Sequence, residues 1–159
     1  MCWSELTPDA WTLPAERAKN HRAHTLPLMP MMQTILDTVP RMASREKLFG
    51  ERSPTGFQSW DLNKQALDAR SGVTSWQLRD IRRSITTRMA DIGIAPHVIE
   101  QILNHVSGHK SGVAGIYNRS SYEREVRAAL AMWEDHIRSL VEGGERKVLS
   151  SKKFAPVAS

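Results

Sequence analysis

Four groups of residues in this chain have types and spacings suited to chemistry on an anion. Arg79, Arg82 and Arg83 lie three and four positions apart, about one helical turn, so a helix over 76–92 puts their guanidinium groups on one face. A guanidinium stays charged and offers paired donors in a fixed fork, which suits a phosphate. His105 ends an apolar segment at a glycine-rich stretch, and Tyr117 follows twelve residues later. An imidazole exchanges protons near neutral pH. A phenol, with a pKa of about 10, attacks an electrophile only with a base and a positive field beside it. Lys19, between Arg17 and Arg22, offers an ammonium that can hold an anion or surrender a proton. Each also has an ordinary structural counterpart: a solvated basic face, a capping histidine, a half-buried tyrosine, a polar turn.

The elements that must position these residues can be read from hydrophobic spacing. Trp11–Pro14 and His24–Leu28 are short β-prone runs around the polar stretch 15–23, which predicts a hairpin with edge prolines. Pro30 opens a helix carrying Met31, Met32, Ile35, Leu36 and Val39, and Pro40 closes it. Residues 41–60 read as irregular around Leu48-Phe49, and Asp61 as the cap of a short helix built on Leu62, Ala66 and Leu67. Leu78, Ile81, Ile85, Met89 and Ile92 predict an amphipathic helix stopped by Gly93. A further helix starts near Pro96 and presents Val98, Ile99, Ile102 and Leu103. Residues 104–112 form a loop, and 113–118 about one helical turn. Ser120 and Glu123 form a capping box that opens a long helix bearing Val126, Leu130, Trp133, Ile137 and Leu140. Trp76, Trp133 and Met89 are expected in the core, and His97 in solvent. The fold class is mainly α with a small β-hairpin at the N-terminal side.

Composition narrows the function classes. The 159 residues are 40% hydrophobic and 25% charged, which fits one soluble domain with a real core. No run approaches the roughly 18 apolar residues of a membrane span. Asp9, Glu16 and Arg17 break up any signal-like segment, so a cytoplasmic protein is expected. A lone cysteine, Cys2, excludes an internal disulfide and multi-cysteine metal centres. Lysine and arginine total 22 against 17 acidic residues, a net charge of +5 that favours a polyanionic partner.

Four segments taken together resemble the tyrosine recombinases, specifically the integrases of prophages and related mobile elements. They are Trp11-Thr-Leu-Pro-Ala-Glu-Arg-Ala-Lys-Asn20 with His24-Thr-Leu-Pro-Leu28, Trp76-Gln-Leu-Arg-Asp-Ile-Arg-Arg83, Leu103-Asn-His-Val-Ser-Gly-His109 and Gly112-Val-Ala-Gly-Ile-Tyr-Asn-Arg119. The resemblance runs from about Trp3 to Leu140. It implies the DNA breaking-and-rejoining catalytic-domain fold, with Tyr117 as nucleophile, Arg82 as second catalytic arginine, His105 at the histidine-or-tryptophan position and Lys19 as general acid. Arg83, Arg17, Arg22 and Lys110 are the expected phosphate contacts. The implied partners are double-stranded attachment-site DNA and other integrase protomers. A 3′-phosphotyrosyl link would store the bond energy, so no ATP, metal or other cofactor is expected.

Two departures from that family matter. Arg79 stands where the family commonly has histidine; it can add charge but cannot act as a base near neutral pH. No arginine of the chain stands in the context of the family's first catalytic arginine, and Trp3-Ser-Glu5 resembles the end of the segment that follows it. The expectation is therefore a catalytic domain over 1–143 lacking its N-terminal part, a flexible basic tail over 144–159, and little activity for the chain alone. Two alternatives compete: a non-catalytic DNA-binding module that regulates a full-length integrase, and a metal hydrolase built on His105 and His109. Gly108 and the lack of a nearby carboxylate count against the second alternative.

Overall fold

A computed structural model describes residues 1–42, 45–50, 56–105 and 119–143, with the side chains of all of these but 119–121. Among the described residues are two antiparallel strands, β1 (Ala10–Leu13) and β2 (His24–Pro27), and five α-helices. The helices are α1 (Pro30–Asp37), α2 (Trp60–Ser71), α3 (Leu78–Asp91), α4 (Pro96–Ile102) and α5 (Arg119–Val141). The chain is thus mainly helical with a small sheet at its front. None of the described helices is long and apolar enough to cross a membrane.

The hairpin register pairs Ala10 with Pro27 and Leu13 with His24, as expected of two short runs of alternating character. Its connection is more ordered than the sequence suggests. Pro14 leads into a 3-10 turn at Ala15–Arg17, and the buried Ala18 donates its N–H to the carbonyls of Pro14 and Ala15. A turn bonded to itself in this way fixes the backbone just before Lys19.

The core sits where α4 and α5 meet the C-terminal half of α3 and the β2–α1 corner. Met29, Met89, Ile94, Val98, Ile99, Ile102, Val126, Ala129 and Leu130 form one buried cluster, with Trp133 packed against it. Val98, Ile99 and Ile102 are the residues whose spacing predicted the buried face of α4. Met89 is 1% exposed, so burying it contributes about 1.5–3 kcal/mol. Gly93, at φ +90°, provides the left-handed residue that stops α3 and lets Ile94 turn back into this cluster.

Several expectations are corrected. Leu78 and Ile81 are 42% and 49% exposed, because the first turns of α3 run past the core and only Ile85, Met89 and Ile92 reach it. Trp76 is half-buried at the corner between α2 and α3 rather than in the core. Its Nε1 donates to Asp68 at 2.9 Å, and Lys64 lies over its ring while donating to the same carboxylate at 2.6 Å. Helix α2 begins at Trp60, so Asp61 lies in its first turn instead of capping it, and Leu62 and Leu67 face solvent. Helix α5 is described from Arg119, which places Ser120 within it.

The N-terminal turn Trp3–Glu5 is tied to the hairpin through Glu5. The buried Glu5 carboxylate accepts the Cys2 N–H at 2.8 Å, the Trp11 Nε1–H at 3.2 Å and the Arg17 guanidinium. Burial alone would raise the pKa of this carboxyl, but the Cys2 amide, Trp11 and Arg17 outweigh it and hold it below the ordinary value. A depressed carboxylate contributes stability that is complete above its unfolded pKa and is lost as pH falls through the folded one. Glu5→Gln is therefore expected to cost about 1–2 kcal/mol at pH 7, discounted for the part-exposed arginine, and almost nothing near pH 3. Thermal melts of both proteins at the two pH values check this.

Candidate functional site

The turn after α4 brings together Arg82 and His105 and receives the side chain of Asn20, the neighbour of Lys19. Pro96 starts α4 at a position where a missing N–H costs nothing, and the helix ends in a Schellman arrangement. The Asn104 N–H bonds the Gln101 carbonyl at 3.2 Å and the His105 N–H bonds the Glu100 carbonyl at 2.9 Å. Asn104 is left-handed, with φ +50°, as this motif requires of the residue after the cap. His105 is thus the residue that leaves the helix, and its side chain is exposed.

Three elements donate to or touch this turn. From α3, Arg82 Nη2 donates to the Leu103 carbonyl at 2.6 Å. From the hairpin connection, Asn20 Nδ2 donates to Asn104 Oδ1 at 2.8 Å. From the start of β2, the buried His24 imidazole meets the Ile102 carbonyl at 3.1 Å. Arg82 and His105 line a cleft of about 320 Å³ with Thr86, Ile99, Glu100 and Leu103. Glu100 is the one carboxylate among the described residues that line it.

The candidate cations are held differently, and among those described Arg82 is the one that lines the cleft. Lys19, Arg22, Arg79 and Arg82 have no carboxylate partner among the described residues, so an incoming anion meets charges that need not first be released. Arg83 makes an i,i−3 pair with Asp80 at 3.3 Å and is 81% exposed, which leaves it accessible. Arg17, by contrast, has a buried carboxylate partner. Its guanidinium is engaged by Glu5 and the Cys2 sulfur, so it ties the hairpin to the N-terminal turn while its side chain stays 41% exposed.

The prophage integrase IntA of Escherichia coli (strain K12) is 32% identical to this chain over 148 residues, 89% of the chain and 35% of the relative. This supports an integrase-family relationship. The chain spans about a third of the length of that integrase. No protein-family model matches the chain, and no solved structure matches it.

Against that relationship, Arg82, His105 and the side chain of Asn20, next to Lys19, meet at one turn, while Arg79 and Arg83 are exposed on α3. Tyr117, Lys110 and His109, the turn expected over 113–118, and the basic tail over 144–159 lie outside the described residues. Sequence reasoning missed Asn20, His24, Glu100 and Asn104. Asn104 did carry a signal, since asparagine after a helix end is second only to glycine at the left-handed position. Asn20 and His24 carried none, because their partners are 84 and 78 residues away.

Proposed function

We propose that this chain is the catalytic domain of a tyrosine recombinase that integrates or excises a mobile element in the cytoplasm. Its substrate is double-stranded DNA at attachment sites, and Tyr117 forms a 3′-phosphotyrosyl intermediate. The observation that carries this reading is the meeting of Arg82, His105 and the Lys19-bearing connection at the turn 102–105. Three parts of the sequence with no local reason to meet do so at the turn 102–105.

The chemistry follows from charge. As the Tyr117 phenol gives up its proton to solvent, its oxygen attacks a DNA phosphodiester, forms the tyrosyl–phosphorus bond and places extra negative charge on the non-bridging oxygens. Arg82, helped by Arg79 and Arg83, offsets that charge in a site where fixed donors are worth more than in water. His105 binds one of those oxygens. The bond from phosphorus to the 5′ oxygen then breaks, and Lys19 supplies the proton to the departing oxygen. Reversal with a second 5′ hydroxyl rejoins the strands without an external energy source. Arg22 and Lys110 hold flanking phosphates, and other protomers occupy the partner strands.

The test is covalent capture on a nicked duplex spanning the host–element junction, followed by mapping of the modified peptide. A DNA adduct on Tyr117 is expected. With no arginine of the chain in the context of the family's first, it should form slowly with these 159 residues and faster when an upstream arginine-bearing segment is supplied. An adduct on another residue overturns the reading. Salt-dependent DNA binding with no adduct, even with that segment present, assigns the chain to the non-catalytic binding modules.

A further inference from the structure

Asn104 holds a left-handed conformation that glycine adopts at lower cost, so its side chain needs a reason to be there. That reason lies across the fold. Asn104 Oδ1 accepts from Asn20 Nδ2 at 2.8 Å, and both side chains are partly shielded from solvent. Asn20 is itself oriented: its Oδ1 accepts the Arg22 N–H at 3.2 Å, which leaves its amide nitrogen to face Asn104. His21, at φ +53°, forms the left-handed apex between Lys19 and Arg22, and its N–H is held by the Ala18 carbonyl at 3.0 Å. One asparagine therefore shapes the cationic loop, and the other ties that loop to the turn ending in His105.

We propose that Asn104 is a positioning residue whose side chain, through Asn20, docks the Lys19–Arg22 loop on the His105 turn so that ammonium and imidazole address the same phosphate. This rests on the recombinase reading for its purpose, but the clasp itself is physical and can be measured without DNA. Two cationic side chains on a loop of a two-stranded hairpin have many conformations open to them. A hydrogen bond between part-buried amides restricts the loop before substrate arrives, which lowers the entropy cost of assembling the site.

The experiment contrasts Asn104→Gly with Asn104→Asp. Glycine suits the left-handed backbone better but removes the acceptor; aspartate tolerates that backbone and keeps it. Amide hydrogen exchange at His21 and Arg22 is expected to speed up about three- to tenfold in Asn104→Gly, the factor that one lost hydrogen bond allows. Asn104→Asp should leave it near the original rate, and Asn20→Ala, which also removes the acceptor of the Arg22 N–H, should match the glycine variant at His21 with no further increase there when the two are combined. Unchanged exchange in Asn104→Gly overturns the clasp, whatever the chain does to DNA. On the capture assay, Asn104→Gly should slow adduct formation in the parent chain and much less in a Lys19→Ala background. Equal slowing in both backgrounds would make Asn104 a turn residue only. Absence of any adduct on Tyr117 would count against the recombinase reading while leaving the exchange result to decide the clasp.

Discussion

Replacing Arg82 with alanine is expected to slow adduct formation on nicked DNA by about two to three orders of magnitude, the cost of removing one fixed donor from an oxyanion site. Arg82 already spends one N–H on the Leu103 carbonyl at 2.6 Å, and a guanidinium has five. The remaining donors let it bridge the end of α4 and a phosphate at once. Loss of the carbonyl contact should lower stability by only about 0.5–1.5 kcal/mol, because Leu103 is half-buried and water can replace the donor. Rate and stability are therefore expected to separate. Arg82→Lys keeps the charge but not the planar fork, so it should recover more of the stability than of the rate. Single-turnover capture and thermal melts of the three proteins measure both quantities. A rate for Arg82→Ala within about threefold of the parent would make this arginine a cap for α4 and nothing more.

The parts of the fold that were legible in the sequence are those governed by local spacing. The helices from Pro30 and Pro96, the stop at Gly93 and the long helix through Val126 and Leu130 follow from apolar periodicity and from residues with special backbone preferences. What spacing does not contain is which stretch of an amphipathic face meets a neighbour. Leu78 and Ile81 continue the pattern of Met89, yet α4 and α5 cover only the second half of α3. Together with Trp133, Ile137 and Leu140, Ile81 and Ile85 line an open apolar groove, where the same pattern marks surface instead of core.

The candidate site divides along the same line. Arg79, Arg82 and Arg83 sharing a face is a statement about one helix, and it could be read directly. Arg17 could not be separated from Lys19 and Arg22 by sequence, since all three lie in one basic stretch. Only the fold shows that the buried Glu5 carboxylate, which also accepts from Trp11, pairs with Arg17. Long-range pairing thus sorts structural from available charge, and it does so through residues whose identities alone are unremarkable.

Lys19→Ala is the substitution that best separates proton donation from phosphate binding. With ordinary DNA it is expected to slow adduct formation by about two to four orders of magnitude, the range for loss of a positioned general acid. The backbone before it is held by the Ala18 bonds and the side chain is exposed, so stability should change by no more than about 0.5 kcal/mol. Lys19→Arg should not recover the rate, because a guanidinium with a pKa above about 12 is a poor proton donor near neutrality. The decisive comparison uses DNA with sulfur in place of the bridging 5′ oxygen at the scissile phosphate. A thiolate, whose conjugate acid has a pKa of about 8.5, departs without help from an acid. If Lys19 delivers a proton, the defect of Lys19→Ala largely disappears on this substrate. If Lys19 only binds a phosphate, both substrates suffer by the same factor, since the non-bridging oxygens are identical in the two. The ratio of the two defects therefore measures the proton transfer by itself, independent of how tightly either DNA is held.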